Sequence, residues 1–370
     1  MATVLVVVLA VFAYGAHTWA PVWFHFPVAV QVNDQLYEVK SGTDVMTFLT
    51  NDIDLKSYQG ALKTDTGVLL DAHGGGPAAI FVDGRPLQPD QQVERGAKIR
   101  VTQGGTVIHP TVQKAAILSP HAKLQGKGSL IALLQQGQSG KARQTADRVT
   151  GKILETTTVE VPQDTVLQAY ATTGVSQKVV ALTFDDGPND GETQAIVAIL
   201  QEQQVKATFF ELGTNIQRYP ALSAACVNAG NLVGLHSWDH KNFTKLSADQ
   251  IDAQLNENQA ALKAATGQTT AWVRAPYGAT NTEVDVAVTA RGFHMAGWTV
   301  DPKDWARPGV DKIVERVVAG ARPGAIILMH DGGGNRDQTV AALPQIIAAL
   351  KDQGYGFVTV SEMYALAGGK

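Results

Sequence analysis

Val179-Val180-Ala181-Leu182-Thr183-Phe184-Asp185-Asp186-Gly187-Pro188 passes from apolar to acidic in one step. Its first six residues read as a buried strand, because a short apolar run closed by turn residues has a strand's length. Gly187-Pro188 then breaks the chain. Carboxylates at a sharp turn after a strand stand at the rim of a sheet, where chemistry can reach them. Like charges this close cost free energy unless a cation or a shared proton relieves the repulsion. The pair asks for a metal, a basic partner, or both.

Outward from this strand the pattern repeats. Further strands are expected at Thr208 to Leu212, Leu232 to Leu235, Trp272 to Arg274, His294 to Trp298, Ala325 to Met329 and Gly356 to Val360. Helical stretches lie between them at Thr193 to Gln204, Ala248 to Thr266, Val310 to Ala321 and Thr339 to Gln353. Such alternation predicts parallel strands with helical crossovers, an α/β barrel or an open α/β sheet. In a barrel, active residues sit at the C-terminal strand ends. Polar clusters follow the strands at Asp185-Asp186, His236 to His240, Arg274 to Gly278, Asp301 to Trp305 and His330 to Gly332. Their convergence on one rim is expected.

His236 and His240 are four residues apart, on one helix face or in a tight turn, and suit a metal. One carboxylate from Asp185-Asp186 would complete a two-histidine, one-carboxylate site with positions open for water. Zinc is a natural occupant. The ligand types also admit cobalt, manganese or nickel.

The 370 residues allow two or three domains. A net charge of −4 with mixed signs leaves no electrostatic footprint for nucleic acid. The single cysteine, Cys226, rules out an intrachain disulfide framework and reads as a small core residue in an Ala-rich helix. From Met1 to Phe26 there is no Asp, Glu, Lys or Arg. The stretch is long enough to span a bilayer, and Trp19, Trp23 and Phe26 suit an interfacial belt. It lacks the basic region that opens a secretory signal. Cleavage after Gly15 or Ala20 is weakly marked, so the expectation is a membrane anchor on an exported, extracytoplasmic protein.

Val28 to Val32 and Leu36 to Val39 flank a turn at Asn33-Asp34, a hairpin signal. A short helix is expected from Thr43 to Leu49, capped by Ser41 or Thr43, with later strands at Ile80 to Arg85 and Lys98 to Val101. This order resembles a ubiquitin-like β-grasp module of bacterial surface proteins. His73-Gly74-Gly75-Gly76 is similar to the oxyanion loop of lipases, but no G-x-S-x-G elbow accompanies it, and it reads as a flexible loop. Gln135 to Lys141 has linker composition. The organisation expected is a signal or anchor over 1–26, a β-rich domain over 27–105, a linker and β-rich spacer over 106–175, and a catalytic domain over 176–370.

Thr183 to Pro188, His236 to His240, Arg274 to Gly278, Asp304-Trp305 and Leu328 to Asp331 stand in the order and spacing of one family. Ala207 to Phe210 and Tyr219-Pro220 match its connecting segments. Over roughly Val179 to Met363 the chain resembles the polysaccharide deacetylases, carbohydrate esterase family 4, also called the NodB homology domain. The resemblance implies a distorted (β/α) barrel and a metal-dependent deacetylase. It implies that Asp186, His236 and His240 bind the metal, that Asp185 is the general base and that His330 is the general acid. It further implies that Arg274 orients Asp185, that Asp304 tunes His330, that Trp305 and Leu328 wall the acetyl pocket, and that the Tyr277 backbone N–H helps hold the oxyanion. Two positions depart from the family's usual residues, Leu235 for Asn and Ala275 for Pro, and neither carries a side chain the chemistry needs.

The implied substrate is an N-acetylglucosamine-containing extracellular glycan, with peptidoglycan first for an exported enzyme. An acetyl xylan esterase and a wall-binding scaffold without activity are the competing readings. Asp239, Asp301 and Asp331 read as structural or solvated, Trp238 and Trp298 as packing, and His294 as structural.

Overall fold

The structure, a computed structural model, describes residues 26–369. Residues 1–25 of the expected anchor lie outside the described residues. Among those described, no helix is long and apolar enough to cross a membrane. The chain divides into two compact units, one reaching to Lys114 and including Arg143–Thr157, the other comprising Ala115–Ala142 and Thr158 onward.

In the first unit, β1 (Pro27–Val32) and β2 (Gln35–Lys40) form an antiparallel hairpin. Its turn residues Asn33 and Asp34 both take positive φ, 44° and 72°, the conformation that tight hairpins demand and that Asn and Asp tolerate. Helix α1 (Val45–Asp52) follows, capped by Asp44, which accepts from the Thr47 N–H at 2.8 Å. The cap is therefore Asp44 rather than Ser41 or Thr43. Beyond lie β3 (Leu62–Thr64), β4 (Leu69–Asp71), β5 (Ala79–Val82), β6 (Arg85–Pro86), β7 (Lys98–Thr102) and β8 (Val107–His109). The five-stranded order is β2-β1-β7-β5-β6, with β1 and β7 parallel. Val30, Val45, Phe48, Leu49 and Ile99 are buried beneath it.

The His73-Gly74-Gly75-Gly76 stretch is a packed crossing of three chain passes. The Gly75 N–H donates to Gly60 O, the Gly60 N–H to Gly76 O and the Gly76 N–H to Gly105 O, at 2.7–2.9 Å. A Cβ at Gly60 would collide with Gly105 O, and one at Gly104 with Gly76 O. Only backbone without side chains can approach so closely.

The chain continues through β9 (Thr111–Leu118), β10 (Ala122–Gln125), β11 (Leu130–Gln135), β12 (Gly140–Asp147), β13 (Ile153–Glu160) and β14 (Thr165–Tyr170). Strands β9, β12 and β13 form a three-stranded sheet. The rest of this stretch joins the second unit's sheet. That unit runs β15 (Val179–Gly187), α2 (Glu192–Glu202), β16 (Thr208–Glu211), α3 (Gly213–Arg218), α4 (Pro220–Asn228), β17 (Leu232–Leu235), α5 (Ala248–Thr266), β18 (Trp272–Val273), α6 (Thr282–Thr289), β19 (His294–Ala296), α7 (Val310–Gly320), β20 (Ala325–His330), α8 (Asp337–Asp352), β21 (Gly356–Phe357) and α9 (Val360–Leu366).

Its ten-stranded sheet has the order β10-β14-β11-β19-β18-β17-β16-β15-β20, with β21 on β15. From β19 to β20 every pairing is parallel, as helical crossovers require. Val300, just past β19, bridges to Ile327 on the edge of β20 away from β15. The sheet thus curls back on itself. Leu182, Phe184, Phe209, Met329, Ile346 and Leu350 are fully buried between sheet and helices. At the other end, β11 pairs antiparallel with both β14 and β19. The β-rich spacer expected before residue 176 therefore lends strands to this sheet.

The strand expected over Gly356 to Val360 stops at Phe357. Thr359 and Glu362 form a capping box that starts α9 there.

Candidate active site

The site begins at a slip in the ladder. The register of β15 against β16 shifts between Asp185 and Gly187, and Asp186 takes φ 74°. Asp185 stays in the sheet, opposite His330 of β20, while Asp186 is bulged out. One bulge gives adjacent carboxylates different neighbours.

Asp185 is braced by Arg274, which follows β18. Its Nη1 donates to Asp185 Oδ1 at 2.8 Å and to Thr183 Oγ1 at 2.7 Å. Its Nε and Nη2 donate to Ala296 O and Gly297 O, both at 3.0 Å. The guanidinium, 1% exposed, lies over the Phe210 ring at 4.2 Å. Such burial lowers its pKa, and the Asp185 charge opposes that shift. A buried cation this fully paired fixes its partner's geometry.

His236 and His240 follow β17 in a coiled turn. Ser237 and His240 have φ of 72° and 64°, and Ser237 Oγ accepts from the His240 N–H at 2.8 Å. From α5, Asn258 Nδ2 donates to Ser237 O at 2.6 Å, and Gln254 Oε1 accepts from the Trp238 N–H at 2.9 Å. This turn brings both Nε2 atoms to Asp186 Oδ1, at 3.4 Å from His236 and 3.1 Å from His240. The three ligand atoms lie within 4.8 Å of one another.

His236 Nδ1 lies 2.8 Å from Arg274 O. A carbonyl only accepts, so Nδ1 carries a proton there, and Nε2 is the ring nitrogen that faces Asp186. Asp186 Oδ1 is buried and makes no hydrogen bond. Burial works to raise the Asp186 pKa, but the two imidazoles outweigh it and hold the carboxyl well below its usual range. A carboxylate oxygen and two imidazole Nε2 atoms gathered at one point fit a cation between them.

His330, at the end of β20, is wired differently. Its Nδ1 lies 2.8 Å from Asp304 Oδ1, and its backbone N–H donates to Asp304 Oδ2 at 2.9 Å. Thr339 of α8 donates to the same Oδ2 at 2.8 Å. Burial pushes the His330 pKa down, but the Asp304 hydrogen bond and charge, with Asp185 and Asp186 nearby, leave it raised above the ordinary imidazole value.

A cavity of about 470 Å³ is lined by Asp185, Asp186, His236, His240, Tyr277, Trp305, Leu328 and His330. Arg274 and Asp304, buried behind it, complete the positions expected from sequence. Tyr277 is exposed, takes φ 63° and meets the His240 ring edge-on at 4.4 Å. Trp305 is half exposed, and Leu328 is buried.

Gly278 and Asp301, from clusters expected at the rim, also line the cavity, as do Trp298, which read as packing, and Arg336, which was not expected there. Arg336 Nε and Nη2 donate to Gly332 O and Gly333 O at 2.7 and 3.0 Å, and Nη1 to Trp305 O at 3.4 Å. One cation after three glycines at a strand end was its sequence signal. Trp298 stands so close to Gly278 that a Cβ there would strike the indole.

Behind the rim, Asp331 accepts from Thr193 Oγ1 at 2.6 Å and is pushed up to about 7 by burial. Glu211 accepts from Ser223 Oγ at 2.6 Å and is pushed up to about 8 the same way. Cys226 is buried, and burial raises its thiol pKa. His294 packs against the Trp272 and Tyr364 rings.

The pattern of the family described as "Polysaccharide deacetylase" matches residues 172–296. A chitooligosaccharide deacetylase of Rhizobium leguminosarum bv. trifolii is 39% identical over 193 residues, covering 49% of this chain and 90% of its own length. A peptidoglycan-N-acetylglucosamine deacetylase of Bacillus cereus is 37% identical over 196 residues, covering 51% and 89%. The chain belongs to the polysaccharide deacetylase family.

Another relative, the peptidoglycan-N-acetylglucosamine deacetylase PgdA of Listeria monocytogenes, is 39% identical over 189 residues. That match covers 51% of this chain and 39% of the Listeria protein, so the chain spans about two fifths of that relative's length. Among solved structures, a peptidoglycan N-acetylglucosamine deacetylase in complex with 4-naphthalen-1-yl-N-oxidanyl-benzamide is 34% identical, with a TM-score of 0.50 over 52% of this chain and 90% of that one. Like the other polysaccharide deacetylases, this chain pairs its family membership with an α/β fold.

Proposed function

We propose that this polysaccharide deacetylase hydrolyses N-acetyl groups from N-acetylglucosamine in an extracellular glycan, with peptidoglycan as the first substrate. One observation carries the reading. A three-ligand cluster, an arginine-braced carboxylate and an aspartate-paired histidine line the same cavity. Relatives named as peptidoglycan and chitooligosaccharide deacetylases support it.

Asp186, His236 and His240 would hold a divalent cation, with zinc as its natural identity. Such an ion lowers the pKa of water and polarises a carbonyl when bound. Asp185 is the general base, taking the proton of the water that attacks the acetyl carbon. Arg274 holds that carboxylate aimed through the Nη1 hydrogen bond to Oδ1. The Tyr277 backbone N–H donates to the oxygen on which negative charge develops. His330 gives its Nε2 proton to the departing sugar amine, and Asp304 holds the ring by Nδ1 so that Nε2 faces the cavity. Trp305 and Leu328 wall the acetyl methyl group.

The mixed α/β sheet is proposed to be the distorted barrel of this family, with the Val300 to Ile327 bridge as its closure. The β2-β1-β7-β5-β6 sheet with α1 is proposed to be a β-grasp module. An extracytoplasmic location follows from the glycan.

The test is acetate release from peptidoglycan, chitooligosaccharide and acetylated xylan, each with and without chelator. Chelator-sensitive release from the first two supports the reading. Release from xylan alone would replace it with an esterase, and tight glycan binding without release would replace it with a scaffold.

A further inference from the structure

The base-bracing arginine draws on a part of the chain that precedes the family match. Two of the four acceptors around Arg274 are Ala296 O, at the end of β19, and Gly297 O, just past it. Strand β19 is only three residues long, His294–Ala296. One of its edges pairs with β18 and the other with β11, through Leu130↔Ala296 and Ile131↔Met295. The Gly297 N–H donates to Ser129 O at 2.6 Å. Strand β11 comes from residues 130–135, before the match at 172–296.

We propose that Gly297 and the Ser129–Ile131 strand are positioning elements for the catalytic base. They fix the two carbonyls that aim Arg274, and Arg274 aims Asp185. The proposal rests on the deacetylase reading for its kinetic consequence.

Without β11, β19 would be a three-residue edge strand, and its end would fray. Two guanidinium donors would then lose their acceptors inside the protein, where an unpaired donor is costly. Displacing the base by an ångström is enough to reduce a rate about 100-fold. Position 297 also lies close against the Ser129 backbone. A Cβ there would lie 3.2 Å from Ser129 O and 3.7 Å from Ser129 Cβ. Alanine would press lightly on β11, and the branched valine would push it away.

The experiment is a double-mutant cycle in the full chain, combining Gly297→Val with Arg274→Lys. The expected kcat for acetate release falls about tenfold to 100-fold in Gly297→Val, the scale of a misplaced catalytic group, with KM nearly unchanged and bound metal retained. Gly297→Ala should lie between. In the Arg274→Lys background the valine should cost less than about twofold, because the arm it acts through is already lost. Equal losses in both backgrounds, or no loss in Gly297→Val, overturn the proposal.

If Gly297→Val does not fold, the cycle is run with Gly297→Ala, and the same two outcomes decide. Urea denaturation of the same four proteins supplies a readout independent of chemistry. Strong coupling of the two substitutions supports the clasp, and additive losses refute it. A wild-type chain that released no acetate would sink the deacetylase reading while the stability cycle still judged the clasp.

Discussion

Two histidine–aspartate arrangements line one cavity and are wired in opposite senses. His236 donates its Nδ1–H to a backbone carbonyl, Arg274 O at 2.8 Å, and turns Nε2 to Asp186. His330 gives Nδ1 to a carboxylate, Asp304 at 2.8 Å, which favours the protonated ring and leaves Nε2 as a donor. The difference is the charge of the acceptor behind the ring. The neutral carbonyl behind His236 suits the proposed ligand role, and the carboxylate behind His330 raises its pKa and suits the proposed role of acid. A bulge of one residue at Asp186 separates the two carboxylates of β15 in the same spirit, one toward the ligands and one toward Arg274.

Breaking the ligand side should have the largest effect. Asp186→Ala should lose bound metal and reduce acetate release by ~1,000-fold or more, the scale of removing a central group, with metal content read by elemental analysis. Next comes the base. Asp185→Asn keeps the metal but should slow release about 100- to 10,000-fold, as single-turnover kinetics would record. Metal loss alongside that rate loss would show that the two carboxylates do not divide the work.

On the acid side, Asp304→Asn should lower kcat about 100-fold, within the range for a positioned proton donor. It should also move the alkaline limb of the pH–rate profile to lower pH. The His330 pKa stands above 6.5 although burial opposes this, and the Asp304 hydrogen bond is the largest raising cause. The linkage has the same sign for stability. His330 contributes stability that is complete below 6.5 and lost as pH rises through its raised value. Asp304→Asn should remove that pH dependence in denaturation curves. The smallest effect is expected at the wall, where Trp305→Ala should raise KM about threefold to tenfold and leave kcat nearly intact.

The residues around this cavity were legible because strand ends announce themselves. A polar cluster directly after an apolar run marks the rim, and Asp185, His236, Arg274 and His330 all stand there. The strand at Leu232–Leu235 and the helix at Ala248–Thr266 have the expected bounds to the residue, and in the structure Ser247 caps that helix and Gly267 ends it. Pairings set by distant partners were not legible. Leu130–Gln135 has the polarity of a spacer, and only its register with β14 and β19 reveals it as sheet. Of the short helices, α4 was legible as the Ala-rich helix around Cys226. Helix α6 was missed, because its Asn281 cap is followed by too few turns for a clear period. The glycine crossing at Gly60, Gly75 and Gly105 reads as a loose loop from composition, because close backbone approach leaves no trace but the glycines.

The most direct test of the central claim is acetate release from N-acetylated peptidoglycan by the chain after chelation and after zinc is restored. The wiring at Asp186, His236 and His240 predicts that release falls to background when the metal is removed and returns with about one equivalent of zinc. Undiminished release from demonstrably metal-free protein would contradict it.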